Sequence, residues 1–287
     1  MSEAREVPLR VRVVLAHAAV QHLADAHGVD LLHIKGPAVA PGLRGGRGTG
    51  GTDADVIVRP AHVPVLLDAL AAHGWRTETT FATGSAFDHA ANLFHEHWGL
   101  LDVHRLYPGM EADPAAAFDV LWDRRGSTEL ARVRCAVPDV LAQSLVLLLH
   151  AARTPVPGEH PDIAPNWTDR TPTERAALRE LAERTGATVG LAAATGDLAT
   201  HAGRPEAAVW EVFAGGRSDR LAEWSARWRA ARGPRAKASV ALRSVLVNRY
   251  YLRQRLGHDP SRREMATEFL RRGGAGLSAL VRRGRQR

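Results

Sequence analysis

The sequence is poor in cysteine and lysine, and it has no long apolar run. Its single cysteine, Cys135, excludes an internal disulfide framework and a zinc site built from several cysteines. A helix that spans a bilayer needs roughly 20 apolar residues, and the longest apolar stretch, "VLAQSLVLLLHAA", is interrupted by Gln143, Ser144 and His150. The N-terminus lacks the basic and then apolar pattern of a secretory signal. These absences predict a cytoplasmic protein that does not enter a membrane.

Arginine supplies almost all of the positive charge. The net charge is +7 and the isoelectric point is near 10.5, while lysine occurs only as Lys35 and Lys237. This balance permits anionic partners without naming one. Residues 271–287 hold six arginines and no acid, a composition that is typical of a solvated tail and also suits RNA binding through counterion release.

Secondary-structure signals divide the chain into two parts. In the first, helical periodicity alternates with short strand-like stretches such as "VDLLHIKG", "DADVIV" and "ARVRCAVP". In the second the pattern is helical only, with a capping box that begins at Thr171 and single helices predicted over 188–201 and 234–256. We therefore expect an α/β (α+β) domain with a small mixed sheet over residues 1–138, followed by an all-α domain with a basic tail over 139–287.

An acidic pair follows a glycine-rich loop. The stretch "HIKGPAVAPGLRGGRGTGGTDADVIV" places Asp53 and Asp55 one residue apart on a strand, so both carboxylates project from the same face. Two ionised carboxylates this close repel each other unless both are well solvated or a divalent cation lies between them. The loop combines glycine, whose backbone approaches phosphate closely, with the basic residues Lys35, Arg44 and Arg47.

A second strand supplies a third acid. In "LLDVHRL", Asp102 and His104 share a face, and pairing of this strand beside the first would add Asp102 to the acidic pair. Hard oxygen ligands suit Mg²⁺ or Mn²⁺, and Mg²⁺ takes further ligands from water and substrate phosphates. His95 and His97 also share a strand face, which a transition metal would accept, but no ligand set with a defined spacing emerges. The alternative interpretation is a solvated turn at the start of a strand.

The order of these motifs resembles the polymerase-β-type nucleotidyltransferase superfamily. The segments "LLHIKGPAVA", "TDADVIV" and "LLDVHRL", with an arginine in the loop between the first two, are similar to a bacterial nucleotidyltransferase family with a KG…R…DxD…DxH signature. The stretches "LLLHAAR" and "NWTDRTPTERAALRELAERTG" resemble the helical region of that family. The resemblance implies a nucleotidyltransferase-like α/β domain.

The resemblance also implies roles for particular residues. Asp53, Asp55 and Asp102 match the catalytic acids that bind metal. The positions that match nucleotide or phosphate contacts are Lys35, Gly36, Thr52, His104 and either Arg44 or Arg47. The chain departs from the pattern at Pro37, where the superfamily has serine, and at Arg105, where an aromatic residue usually follows the histidine.

Together, the residues and the resemblance predict a Mg²⁺-dependent nucleotidyltransferase that uses a nucleoside triphosphate such as ATP. The expected acceptor is a hydroxyl or phosphate of a small molecule, peptide or protein. Two alternatives stay open. The basic tail favours RNA or tRNA as the acceptor, and Pro37 favours a catalytically degenerate protein that binds a nucleotide or a partner.

Overall fold

A computed structural model describes residues 7–46, 51–81, 90–154, 156–214, 220–231, 233–247 and 249–284. Its strands are β1 (Leu31–Ile34), β2 (Asp53–Val58), β3 (Arg76–Thr79), β4 (Ala90–His95), β5 (Gly99–His104), β6 (Gly126–Leu130) and β7 (Val133–Val137). The helices of the first part are α1 (Leu9–Ala26), α2 (Val63–Ala72) and α3 (Pro114–Asp123). The helices that follow β7 are α4 (Val140–Arg153), α5 (Pro172–Thr185), α6 (Thr188–Thr195), α7 (Ala207–Ala214), α8 (Arg220–Ala230), α9 (Gly233–Val245), α10 (Arg249–Leu256) and α11 (Arg262–Gly284).

The main sheet is small and mixed. Its five strands lie in the order β1-β2-β5-β4-β3, and β6 forms a separate hairpin with β7. The pairing of β2 with β5 is parallel, whereas the other pairings of the main sheet are antiparallel. All of the described segments after β7 are helical or irregular. The predicted fold class, an α/β domain with a small mixed sheet followed by helices only, is confirmed.

The main sheet is covered on both faces. On one face Ala54 and Val56 belong to a buried cluster with residues of α1 and α2. On the other face Ile57 belongs to a cluster that includes residues of α4, α5, α6 and α7. Because alternate strand residues share a face, Asp53 and Asp55 lie on the same side of the sheet as Ile57. The acidic pair therefore faces the helices that follow β7.

Buried hydrophobic side chains pack across the predicted domain boundary, and the largest of these clusters shows it. It joins Leu32, Ile34 and Ile57 of the sheet to residues such as Leu145 of α4 and Trp210 of α7. The division into residues 1–138 and 139–287 stays a prediction. The packing shows that the sheet and the first helices after it share one core.

A local signal placed the start of α5 correctly, whereas the predicted end of the next helix was wrong. The predicted capping box is confirmed, since the Thr171 hydroxyl accepts from the backbone N–H of Glu174 and the Glu174 carboxylate accepts from that of Thr171. The prediction of one helix over 188–201 was wrong. Helix α6 ends at Thr195 because Gly196 takes a left-handed conformation with φ of 84° and closes it.

The predicted single helix over 234–256 is also divided. Helix α9 ends at Val245, and the Leu246 N–H bonds to the Arg243 carbonyl in a tighter turn. The Leu246 carbonyl accepts from the guanidinium of Arg272 on α11. A side chain from a distant helix thus satisfies a carbonyl that helix continuation would have used. No helix in the described ranges has the length and apolar content needed to cross a membrane.

Candidate functional site

Two acids face each other at the centre of the main sheet. In the parallel pairing of β2 with β5, Asp55 lies directly opposite Asp102 and Ile57 lies opposite His104. Side chains at paired positions project from the same face. Among the residues that the structure describes, one group of three has the spacing of metal ligands. It consists of Asp55, Asp102 and His104, whose ligand atoms all lie within 4.8 Å of one another.

Asp55 is almost fully buried, and two donors hold one of its oxygens. The Lys35 ammonium Nζ lies 2.5 Å from Asp55 Oδ1, and His104 Nε2 lies 2.9 Å from the same atom. A carboxylate oxygen only accepts, so His104 Nε2 carries the proton. Burial lowers the pKa of His104 well below its ordinary value, and the charges of Lys35 and Arg153 lower it further. His104 is therefore a neutral donor that orients Asp55.

Lys35 reaches Asp55 because of an unusual backbone conformation. It follows the last residue of β1 with φ of 57° and ψ of −176°, a region that almost only glycine occupies. Burial acts to lower the pKa of its ammonium, but the charges of Asp55, Tyr107 and Asp53 and the hydrogen bond to Asp55 together outweigh this effect, so the pKa lies above the ordinary value. The side chain is consequently a fixed cation inside the acidic cluster, which we define as Asp53, Asp55 and Asp102.

Asp102 is held from the neighbouring strands. The amide nitrogen of Asn92, its register partner on β4, donates to Asp102 Oδ1, and the Asn92 amide oxygen accepts from the Thr79 hydroxyl on β3. Burial raises the pKa of the Asp102 carboxyl to about 7, with further contributions from Asp55 and Asp53, although Lys35 and Asn92 act against the shift. The raised pKa therefore reflects burial first and the neighbouring carboxylates second.

Asp53 lies outside the compact group of three ligands. Its carboxylate accepts from the hydroxyl of Thr52 at 3.3 Å, and both residues are less buried than Asp55. Burial raises its pKa, and the charge of Asp55 adds to the shift, whereas Lys35 opposes it. Asp53 therefore shares the electrostatics of the cluster from its outer side.

The residues predicted to contact phosphate are in different settings. Gly36 has φ of 47° and begins a short 3₁₀ turn, and an added Cβ there would meet no atom within 4 Å. The Arg44 guanidinium turns inward and donates to the carbonyl oxygens of Pro37 and Val39, so it fixes the turn that follows Lys35. Arg47 lies outside the described residues. The phosphate-binding roles stay predictions.

The loop that contains Arg44 is also attached to the helical part. The Asn166 amide donates to the Leu43 carbonyl oxygen at 2.9 Å and to that of Asp162 at 2.8 Å. Gly45 lies so close to Pro161 that an added Cβ would overlap the Pro161 carbonyl. Residues after β7 therefore hold the loop between β1 and β2 in place.

Several residues at the site were not found from the sequence. Tyr107 is fully buried, with its ring centroid 5.8 Å from that of His104, and the Arg153 guanidinium carbon lies 5.5 Å from the Tyr107 ring. The sequence could have indicated Asn92, because a tight hairpin between β4 and β5 places it opposite Asp102. No local sequence pattern indicated Thr79 or Arg153, since only the tertiary packing brings them close to the site.

The donor set suits a hard divalent cation. Asp55 and Asp102 offer carboxylate oxygens from adjacent strands, with Asp53 nearby, and such ligands suit Mg²⁺ and Mn²⁺. His104 uses its Nε2–H for Asp55, so that nitrogen is not a ligand as arranged. The acidic cluster thus suits Mg²⁺ or Mn²⁺, the kind of cation predicted from the sequence. The pair His95 and His97 belongs to no such group in the described ranges.

Comparisons with known proteins add a weak structural likeness. No family profile matches the chain, and no curated protein sequence matches it either. The crystal structure of the lincosamide antibiotic adenylyltransferase LnuA, bound to lincomycin, is similar over 58% of this chain and 94% of its own, with 18% identity and a TM-score of 0.32. A likeness of this size carries no information about substrate.

Proposed function

We propose that this chain is a nucleotidyltransferase that depends on Mg²⁺ or Mn²⁺. It transfers a nucleoside monophosphate from a nucleoside triphosphate to a hydroxyl or phosphate of a small-molecule, peptide or protein acceptor. The observation that carries the proposal is the parallel pairing that sets Asp55 against Asp102, with their ligand atoms within 4.8 Å. The motif order of the polymerase-β-type superfamily supports the same reaction.

The cation would be held by Asp55 and Asp102, with Asp53 on the outer side. When bound, it would neutralise triphosphate charge and lower the pKa of the acceptor hydroxyl. The raised pKa values of Asp53 and Asp102 support this assignment, because burial and the neighbouring carboxylates disfavour the ionised acids and a bound cation would stabilise them. His104 keeps Asp55 oriented, and the open backbone at Gly36 leaves room for a phosphate group.

Transfer of label from α-³²P nucleoside triphosphates to a panel of hydroxylated small molecules, peptides and proteins tests the proposal. Loss of a carboxylate that holds the cation costs several kcal/mol of barrier, so we expect Asp55→Asn and Asp102→Asn to reduce incorporation by about 10³-fold. Asp68→Asn is the matched control, since Asp68 is an exposed acid on α2. Equal incorporation of label by wild type and both site variants would show that Asp55 and Asp102 have no catalytic role. Calorimetry with Mg²⁺ and ATP then separates nucleotide binding without transfer from no binding at all.

A second candidate acceptor is RNA. Residues 220–287 contain 18 of the 38 basic residues and only four of the 31 acids. Within this stretch the Arg255 and Arg271 side chains are 56% and 61% exposed. Labelled tRNA in the same transfer assay tests this acceptor. If RNA is the acceptor, its binding weakens steeply as salt rises, because the phosphate contacts release counterions; salt-independent binding rejects it.

A further inference from the structure

The position of Lys35 limits how many cations the acidic cluster can take. Asp55 Oδ1 accepts from Lys35 Nζ at 2.5 Å and from His104 Nε2 at 2.9 Å. A carboxylate has about two acceptor sites on each oxygen, so Oδ1 is filled by these two donors. Only Oδ2 remains for a metal ion. A carboxylate commonly bridges two ions about 3.5–4 Å apart by giving one oxygen to each.

Lys35 is not a mobile arm that an arriving ion would simply displace. Its side chain is only 19% exposed, and its strained backbone directs it from the end of β1 toward Asp55. The following turn is fixed as well, because Pro37 restricts the chain and Arg44 bonds to the carbonyls of Pro37 and Val39. The ammonium is therefore built into the cluster.

The charge at the site leads to the same limit. Among the described residues, Asp53, Asp55 and Asp102 contribute three negative charges when ionised, and Lys35 contributes one positive charge in direct contact with Asp55. Two negative charges remain, which one divalent ion balances. A second divalent ion would leave an excess of two positive charges in a half-buried site, which is unfavourable without further anions.

We propose that the acidic cluster binds one divalent cation and that the Lys35 ammonium occupies the place a second cation would otherwise take. This inference rests on the metal site of the proposed function and changes its composition. In it, Lys35 supplies a fixed positive charge against Asp55, and Asp55 and Asp102 would hold the single ion.

The stoichiometry of Mn²⁺ binding, counted by electron paramagnetic resonance, tests this inference without any turnover. Mn²⁺ is titrated into the full chain with and without a non-hydrolysable ATP analogue. The double variant Asp55→Asn/Asp102→Asn gives the background of ions bound elsewhere. We expect one Mn²⁺ per chain for wild type and for Lys35→Arg, and two for Lys35→Gly. Glycine removes the ammonium and also suits the backbone at this position.

The spectra provide a second reading of the same experiment. Two Mn²⁺ ions about 4 Å apart broaden each other's signal through spin coupling, so a coupled spectrum is expected for Lys35→Gly alone. Two ions in wild type, or one ion in Lys35→Gly, overturn the inference but do not contradict a metal-dependent transferase. No ion above background in wild type overturns the inference and the metal site together. The transfer assay decides separately whether the proposed reaction occurs.

Discussion

Asp55 and Asp102 lie opposite each other although 46 residues separate them in the chain. The parallel pairing of β2 with β5 imposes this contact, and the strand pairing costs electrostatic free energy because two carboxylates converge in a half-buried site. Lys35 offsets part of the repulsion through Asp55. Burial and the remaining repulsion raise the pKa of Asp102, and a cation bound there would be stabilising.

The raised pKa of Asp102 predicts that the metal-free protein loses stability as pH rises. The folded-state pKa of about 7 lies above the ordinary value of 3.8. The contribution of Asp102 is thus fully present below about pH 4 and is lost as pH passes through 7. We expect Asp102→Asn to flatten the pH dependence of the unfolding free energy, and to stabilise the protein by on the order of 2 kcal/mol at pH 8.

Urea unfolding in the presence of EDTA at several pH values between 4 and 8 measures this effect. Asp68→Asn, an exposed acid on α2, is expected to keep the wild-type slope. Addition of Mg²⁺ at pH 8 is expected to restore stability to wild type only, because binding to the folded state is stabilising. The same slope in wild type and Asp102→Asn contradicts the assignment.

The backbone of Lys35 predicts an order of stability between two substitutions. Lys35→Ala and Lys35→Gly both remove the ammonium, but only alanine keeps a Cβ in a conformation with φ of 57° and ψ of −176°. Such strain costs the alanine variant about 1–3 kcal/mol. The greater conformational entropy that glycine loses on folding reduces the difference between the two variants. We expect the glycine variant to be more stable by about 1–2 kcal/mol in denaturant unfolding. A more stable alanine variant would show that this backbone conformation is wrong.

The loop between β1 and β2 predicts a contrast between two neighbouring glycines. Gly45 and Gly46 have φ of 54° and 75°, so alanine is strained at either, but only at Gly45 would its Cβ overlap the Pro161 carbonyl. Gly46→Ala is expected to cost about 1 kcal/mol. Gly45→Ala is expected to cost more and to separate the loop from the 160–168 segment. Hydrogen exchange of the backbone amides around Asn166 measures this separation. Equal protection of these amides in the two variants would contradict the prediction.

The chain from Thr79 through Asn92 to Asp102 predicts a distant effect on metal affinity. Thr79→Val keeps the shape of the side chain but removes the hydroxyl that orients the Asn92 amide. Groups that orient a metal ligand typically contribute 10–100-fold in affinity, and we expect a loss of about that size in Mn²⁺ calorimetry. The control is Thr77→Val, an exposed position on the same strand. Equal affinities for the two variants would show that Asn92 does not depend on Thr79.

Part of the site follows from local patterns. Strand alternation places Asp53 with Asp55 and Asp102 with His104, and any sheet built from these segments keeps those pairs on common faces. The Thr171 capping box is local in the same sense. The fold class was predictable for the same reason, because helical and strand periodicity depend on neighbours within a few residues.

The sequence by itself therefore determined which carboxylates exist, which of them share a face, and that a mixed sheet precedes a run of helices. The tertiary structure alone decided that Asp102 opposes Asp55 and that Asp53 stays at the edge. It also decided that Lys35 pairs with Asp55 and that Arg44 donates a hydrogen bond to a carbonyl oxygen of its own loop. The reason is physical. Local alternation fixes which face of a strand a side chain takes. Which strands pair, and where long basic side chains reach, depends on contacts between segments far apart in the chain.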